Sequence, residues 1–343
     1  MLLYDLVDPQ ELTGYVRGIQ LETDRNKFLL SAYLPNKNID EFEFRITNGT
    51  LRDPDAAVYR AWDTESPIGS RQGISRIIGE LPPISKKMRL GEEERLRRRA
   101  LERADNTELV NAIYDDAAQL TRSVLARIEM ARGEVLETGQ MVINENGVLQ
   151  TVSWGRSGTH TVTASVKWDV PATATPIADL RSWVQTYIND NGVAPAFGLT
   201  STQVISALLL VSEIRSIATT VSGVPGIVTL GTVQSILQAF GLPPMVPYDT
   251  QVRVAGTATR VTNAKKVTLM PPAGEPLGNT LFGTTAEALV LQEAQAIGGA
   301  DAPGLVATVH KLDDPVSTWT KVGGIALPVV PNPDLTLTAL VLT

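Results

Sequence analysis

The sequence predicts an α+β fold, and three features indicate it. A charged helical pattern runs from Gly91 to about Thr138, with apolar residues at helical spacing in its second half. A hairpin pattern follows directly and has Asn146-Gly147 at its centre, the preferred pair of a type I′ turn. The last segment, 305–343, is rich in strand-forming residues. The chain therefore contains both helical and strand patterns.

Composition limits the class of protein. The chain has 343 residues, enough for two or three packed units, and a net charge of −7, which disfavours non-specific attraction to nucleic acid or anionic membranes. Cysteine is absent, so disulfides, zinc–thiolate sites and thiol nucleophiles are excluded. The N-terminus lacks the basic region and apolar run of a signal peptide, and no apolar run is long enough to span a bilayer. We therefore expect no secretion signal and no membrane partner.

Charge is distributed unevenly along the chain. Residues 1–140 contain 20 of the 30 Lys and Arg and 24 of the 37 Asp and Glu. The remaining two hundred residues have few charges with which to solvate a surface. Either this part buries an unusual share of its surface, or it packs against copies of itself.

The first ninety residues predict short elements and a protrusion. We expect a strand over Tyr15–Ile19 and a short helix over Asp24–Tyr33, which ends before a proline. Further strands are predicted at 41–48, 57–62 and 74–81, around a polar, turn-rich tip at 63–73. A two-stranded protrusion of this kind is marginal alone in water, so we expect it to lie on a neighbouring subunit.

The rest of the chain predicts one long helix and then mixed elements. Asp105-Asn-Thr-Glu108 matches a capping box, so the helix that begins near Gly91 is expected to restart there and continue to about Arg132. Thr175-Pro176 predicts a helix start and Asn191-Gly192 its end. Other helices are expected at 201–218 and 232–240, and strands at 159–168, 252–260 and 267–270.

Motifs that carry catalysis are missing. The only histidines are His160 and His310, and the chain has no G-x-S-x-G, P-loop or dinucleotide-binding motif. Adjacent acids at Asp115-Asp116 do not share a helix face, so they favour solvation over metal binding. We therefore expect no enzymatic activity, no metal and no cofactor.

One basic cluster, Arg95–Arg103, allows three interpretations. Its members are interspersed with Glu92, Glu93, Glu94 and Glu102. A solvated helix that pairs its own charges is favoured by this local balance, ahead of salt bridges between subunits and of DNA contact.

The order of these elements resembles a known family. The segments that carry the resemblance are Ala126–Gly139, the hairpin after it, Trp154-Gly155-Arg156, Thr173–Asp179 and Leu277–Thr280. They resemble the major capsid protein of tailed double-stranded DNA bacteriophages, in particular the lambda-like protein E group with the Hong Kong 97-type fold. The resemblance implies an N-terminal arm (1–40), an E-loop hairpin (41–90), a P-domain with a long spine helix and strands (91–190, returning at 305–343) and an A-domain (191–304).

The resemblance also implies a function and partners. The chain would self-assemble in the host bacterial cytoplasm into the icosahedral head shell of a virion and enclose packaged DNA, which it would contact only non-specifically. Expected partners are copies of itself in hexamers and pentamers, a separate scaffolding protein, a portal protein and, as an option, a decoration (cementing) protein. The candidate assembly-interface residues are Trp62, Glu65, Arg71, Arg76, Arg95, Arg97, Arg98 and Arg99.

The sequence departs from the family in one respect, and two other functions are alternatives to a phage head shell. The tip at 63–73 contains no Lys, so the Lys–Asn cross-link known from this fold is not expected. An encapsulin-type nanocompartment shell would share the fold and enclose enzymes instead of DNA. A secreted β-rich adhesion module is disfavoured by the missing signal peptide and by the long charged helix.

Overall fold

The structure, a computed structural model, describes residues 7–48, 59–60, 62, 65, 75–101, 107–145, 147–222, 228–272, 277–298 and 302–343. Its helices are α1 (Pro9–Asn26), α2 (Glu92–Leu101), α3 (Thr107–Thr138), α4 (Pro176–Asn191), α5 (Thr202–Leu210), α6 (Ser212–Ser222), α7 (Leu230–Ala239) and α8 (Ala286–Glu293). Its strands are β1 (Asn36–Asn38), β2 (Glu43–Asn48), β3 (Ser75–Glu80), β4 (Pro83–Leu90), β5 (Gln140–Glu145), β6 (Val148–Ser153), β7 (Thr161–Thr163), β8 (Phe197–Thr200), β9 (Met245–Pro247), β10 (Gln251–Val254), β11 (Thr257–Arg260), β12 (Lys266–Met270), β13 (Asn279–Gly283), β14 (Val306–Asp313), β15 (Val316–Val329) and β16 (Leu337–Leu340).

The first hydrophobic core lies between α3 and a five-stranded sheet. This sheet has the order β1-β13-β15-β14, and β4 pairs with β15 as well. Ile113, Leu120 and Ile128 face the core from α3 at helical spacing, and each is at most 1% exposed. Helix α3 has 32 residues and is therefore about 48 Å long. It is the long helix that the sequence predicts, but it ends at Thr138 and not at about Arg132.

The second core lies around a sheet with the order β7-β16-β12-β8-β9 and helices α4 to α7. Helix α4 begins at Pro176 and ends before Gly192, whose φ of 71° is the left-handed conformation that favours glycine. Trp168 stacks on Trp183 with their ring centroids 5.9 Å apart. Strand β16 brings the C-terminal residues into this second core, so both cores contain residues from distant parts of the chain.

Three two-stranded antiparallel sheets complete the fold: β2–β3, β5–β6 and β10–β11. The β5–β6 pair is the hairpin predicted around Asn146-Gly147, and Gly147 has a φ of 84°. The β2–β3 pair is the described base of the predicted protrusion. Most of its predicted tip, 63–73, and of the strand predicted at 57–62 lies outside the described residues.

Several local predictions of secondary structure are wrong. Residues Tyr15–Ile19 lie within α1, because burying one helix stripe against α3 outweighs the strand-forming residues. The helix predicted over Asp24–Tyr33 contains the end of α1 and a short 3-10 turn at Leu29–Ala32. The strand predicted at 159–168 shortens to β7, the helix predicted at 201–218 divides at Val211, and the strand predicted at 252–260 is the β10–β11 hairpin.

Candidate assembly surfaces

A buried guanidinium ties the N-terminal part of the chain to α3. Arg132 is 1% exposed and donates hydrogen bonds to Asp24 Oδ1 and Glu129 Oε2, both at 3.0 Å. It also donates to Asn36 Oδ1 at 2.6 Å and to Thr280 Oγ1 at 3.0 Å. These partners come from α1, α3, β1 and β13. A single side chain therefore fixes four elements relative to one another.

Glu129 extends this cluster to the second half of the chain. Its Oε1 accepts a hydrogen bond from the Leu30 backbone N–H at 3.1 Å and from the Tyr248 hydroxyl at 2.6 Å. Burial raises the pKa of Glu129, although Arg132 and Tyr248 act in the opposite direction. Burial and the neighbouring Glu129 carboxyl raise the pKa of Tyr248, which keeps its hydroxyl a donor. The cluster therefore holds α1, α3 and the segment after β9 together.

A second arginine, which is half-buried, binds the C-terminal end of α3. Arg156 donates to the backbone carbonyls of Leu136 and Glu137, both at 2.6 Å, and to the hydroxyl of Thr336. Carbonyls in the last turn of a helix have no partner within the helix, so this side chain supplies one. Burial lowers the pKa of Arg156 to about 10. The β5–β6 hairpin therefore leaves α3 from a fixed point.

A groove of about 1070 Å³ lies along the middle of α3, and we name it the helix groove. Its walls are the end of α1, the start of β4, the β5–β6 hairpin and strand β10. The basic residues that line it are Lys27, Lys86, Arg122, Arg127 and Arg253, and the acidic ones are Glu22 and Glu145. Apolar lining residues include Phe28, Ile84, Val124, Met130, Met141 and Ile143. The groove thus combines an apolar floor with an excess of positive charge.

The candidate residues of the protrusion differ in how far the structure describes them. Trp62 is 96% exposed, and Glu65 is also exposed. Arg76 lies in β3 opposite Thr47, and Arg71 is outside the described residues. Tyr59, which sequence reasoning did not select, is fully exposed as well. In the sequence, the sign that Tyr59 is an interface candidate is its position three residues before Trp62.

The candidate residues of the basic cluster all lie in α2. Arg97 forms an ion pair with Glu93 at 2.6 Å, one helical turn away, and both side chains are more than three quarters exposed. This is the self-paired geometry that local charge balance favours, and such an exposed pair contributes little stability. Arg95, Arg98 and Arg99 belong to the same helix, but their side chains are outside the described part of the structure.

Sequence reasoning missed the helix groove altogether. Its cations come from α1, α3, β4 and β10, which are far apart in the chain. Within α3, Arg122 and Arg127 fall outside the apolar stripe. This position is the one feature of the groove that the sequence alone indicates. Among the described residues, no group of His, Asp and Glu has the arrangement of a metal site, and no helix there is long and apolar enough to cross a membrane.

Comparison with known proteins identifies the family. The model of the family "Phage major capsid protein E" matches residues 8–341. The chain belongs to the phage major capsid protein E family. It is therefore a phage head-shell protein, and its family is one of structural capsid proteins that assemble into multimeric shells, not a class of enzymes. A search of curated proteins finds no match.

Two solved structures show the same fold at low sequence identity, and a third is less similar. A capsid protein attributed to a prophage of E. coli CFT073 is 14% identical, with a TM-score of 0.66 over 98% of this chain and 99% of that one. A phage-related protein from Bordetella bronchiseptica RB50 is 12% identical, with a TM-score of 0.58 over 97% of both chains. The SrpI encapsulin of Synechococcus elongatus PCC 7942 is 14% identical, with a TM-score of 0.47 over 92% of this chain and 87% of that one. The predicted Hong Kong 97-type capsid fold is confirmed.

Proposed function

We propose that copies of this chain assemble in the host bacterial cytoplasm, as hexamers and pentamers, into an icosahedral shell around packaged DNA. Four parts of the chain would each contribute contacts between copies: the arm (1–40), the E-loop (41–90), the P-domain (91–190 and 305–343) and the A-domain (191–304). A separate scaffolding protein, a portal protein and an optional decoration protein complete the set of partners.

The exposed aromatics of the protrusion carry this proposal. Trp62 and Tyr59 are 96% and 104% exposed in a single copy. The described strands at the base of the protrusion, β2 and β3, pair with each other and not with a larger sheet. Large aromatic side chains in this setting are characteristic of interfaces, where they supply much of the binding energy. A neighbouring copy would bury them.

Assembly of purified protein tests the proposal. We expect closed particles by electron microscopy and a large species by light scattering when the chain is expressed together with its scaffolding protein. Trp62→Ala should lower the particle yield, whereas Leu289→Ala, a matched change at a half-exposed residue of α8, should not. A strictly monomeric species at high protein concentration, with scaffold present, would contradict the proposal.

The contents of the shell distinguish a phage head from a nanocompartment. Particles isolated from infected or induced cells should protect double-stranded DNA from nuclease. Particles that contain a co-purifying enzyme and no DNA would instead support the encapsulin alternative.

A further inference from the structure

We propose that His160 is a proton-dependent latch between the two cores. With a proton on both ring nitrogens, it holds two chain segments and helix α4 together, and loss of one proton loosens this joint. The inference concerns the single subunit and does not depend on the proposed assembly.

Two segments of the chain pass side by side from the first core to the second, and we name them the crossing segments. Residues 154–160 lead from the β5–β6 hairpin, which belongs to the first core, to β7 of the second sheet. Residues 330–336 lead from β15 to β16. The Ser157 backbone N–H donates to Asp334 Oδ1 at 2.7 Å, which joins the two segments. The relative position of the cores therefore depends on the contacts that hold the crossing segments.

His160 lies where the crossing segments meet the end of α4. Its side chain is buried, with Nδ1 3.2 Å from the Thr336 carbonyl oxygen and Nε2 2.9 Å from Asp190 Oδ2. Tyr187 of α4 lies beside the ring, and its hydroxyl donates to the Leu335 carbonyl at 3.0 Å. One imidazole therefore connects both crossing segments to α4.

Both contacts of the ring are with hydrogen-bond acceptors. A neutral imidazole has one N–H, so in either tautomer one nitrogen would present its lone pair to an oxygen. The imidazolium donates from both nitrogens and satisfies Thr336 and Asp190 at the same time. The geometry therefore selects the charged form of His160.

The position of Asp190 supports this role. It lies in the last turn of α4, where the helix dipole disfavours a carboxylate and favours a cation. The helix alone gives no reason for an acid here, whereas the imidazolium of His160 does. The Asp190 side chain is 46% exposed, so solvent reaches this side of the buried ring and can exchange its proton.

The charged groups around the crossing segments act in the same direction. Arg156 belongs to the first segment and Asp334 to the second, and Asp334 and Glu137 both counter the effect of burial on the pKa of Arg156. Together with Asp190, three carboxylates and one guanidinium surround this joint. An excess of negative charge favours a protonated imidazole.

NMR of the unassembled subunit with isotope-labelled histidine reads the protonation of the ring. The chain has only two histidines, so His310→Gln assigns both signals. At about pH 6.5, the midpoint of an ordinary histidine, both nitrogens of His160 should carry protons. Burial lowers the pKa of His310, which should be mostly neutral there and serves as the internal reference. A neutral His160 ring under these conditions would overturn the inference.

Hydrogen exchange shows whether proton loss loosens the joint. As the ring titrates with rising pH, the protection of the Gly192 and Thr336 amides should fall about tenfold, since one buried hydrogen bond is lost. Protection is corrected for the intrinsic pH dependence of exchange, and Leu120 in the middle of α3 serves as the reference amide. Unchanged protection while the ring loses its proton would show that His160 is not a latch.

Asp190→Asn separates a proton-dependent latch from a merely structural histidine. The amide nitrogen can donate to Nε2 of a neutral ring, while Nδ1 keeps its bond to Thr336. In this variant the protection of Gly192 and Thr336 should no longer depend on pH. Glu293→Gln, which removes an exposed carboxylate from the last residue of α8, is the matched control and should behave like the wild type. A loss of protection with rising pH that persists in Asp190→Asn would contradict the proposal.

Discussion

The hydroxyl of Tyr248 donates a 2.6 Å hydrogen bond to Oε1 of Glu129, although the two residues are 119 positions apart. The backbone N–H of Tyr248 also donates to the Thr200 carbonyl at 2.7 Å, at the end of β8. One residue therefore connects the second sheet to the middle of α3. This connection gives the helix groove a fixed relation to both cores.

Removing that hydroxyl should destabilise the subunit. For Tyr248→Phe we expect a loss of about 1–3 kcal/mol in the free energy of unfolding, because Glu129 loses a donor in a buried site. Urea unfolding of the unassembled subunit measures it. Tyr59→Phe, at a fully exposed residue, is the control and should unfold like the wild type.

The buried carboxyl of Glu129 should make stability depend on pH. Burial raises its pKa above the ordinary 4.5, so the fold favours the protonated form. Its contribution is fully present below pH 4.5 and is lost as the pH rises through the folded pKa. Glu129→Gln removes this titration, so wild-type stability should fall relative to the variant as pH rises across that window. An amide next to Arg132 shifts the unfolding midpoint of the variant by the same amount at every pH. Curves of unfolding midpoint against pH that run parallel in the two proteins would therefore contradict this prediction.

Gly133 in α3 is required by a close backbone approach. A Cβ at this position would lie 2.4 Å from the carbonyl oxygen of Val261, so Gly133→Ala must separate α3 from the segment after β11. We expect a destabilisation of about 1–3 kcal/mol. Gly18→Ala in α1, where a Cβ meets nothing within 4 Å, should instead stabilise the fold by roughly 0.5–1 kcal/mol. Thermal unfolding of the two variants compares them directly.

The geometry of Arg156 cannot be reproduced by lysine. Its two terminal nitrogens donate separately to the Leu136 and Glu137 carbonyls, whereas an ammonium is a single point. Arg156→Lys should therefore cost about 1–3 kcal/mol and increase hydrogen exchange at the end of α3. Arg89→Lys, at an exposed residue of β4, should leave both quantities unchanged.

Mature shells should contain no covalent links between subunits. The predicted tip at 63–73 has no Lys, and the chain has no cysteine. Particles boiled in detergent should therefore run as one band near 36.9 kDa. A ladder of higher multimers from unmodified particles would show that another covalent chemistry links the copies.

Regular local patterns allowed much of the fold to be predicted. The restart of the long helix near residue 107, the Asn146-Gly147 hairpin and the limits of α4 at Pro176 and Gly192 all appear as expected. Capping residues, turn pairs and glycine act through neighbours a few positions away, so their signals survive in the sequence alone. The strand predicted at Tyr15–Ile19 overlooked one such signal, since Asp8, whose side chain accepts from the Gln10 N–H, caps α1.

The sequence by itself determined the mixed helix and strand content, the long central helix and the absence of cysteine chemistry. Only the tertiary structure decided where charge and apolar surface meet. The helix groove joins Lys27, Lys86, Arg122 and Arg253 from four elements, and the Arg132 cluster joins residues from Asp24 to Thr280. Such sites depend on long-range packing, because burial and electrostatic attraction act through space and leave no periodic trace along the chain.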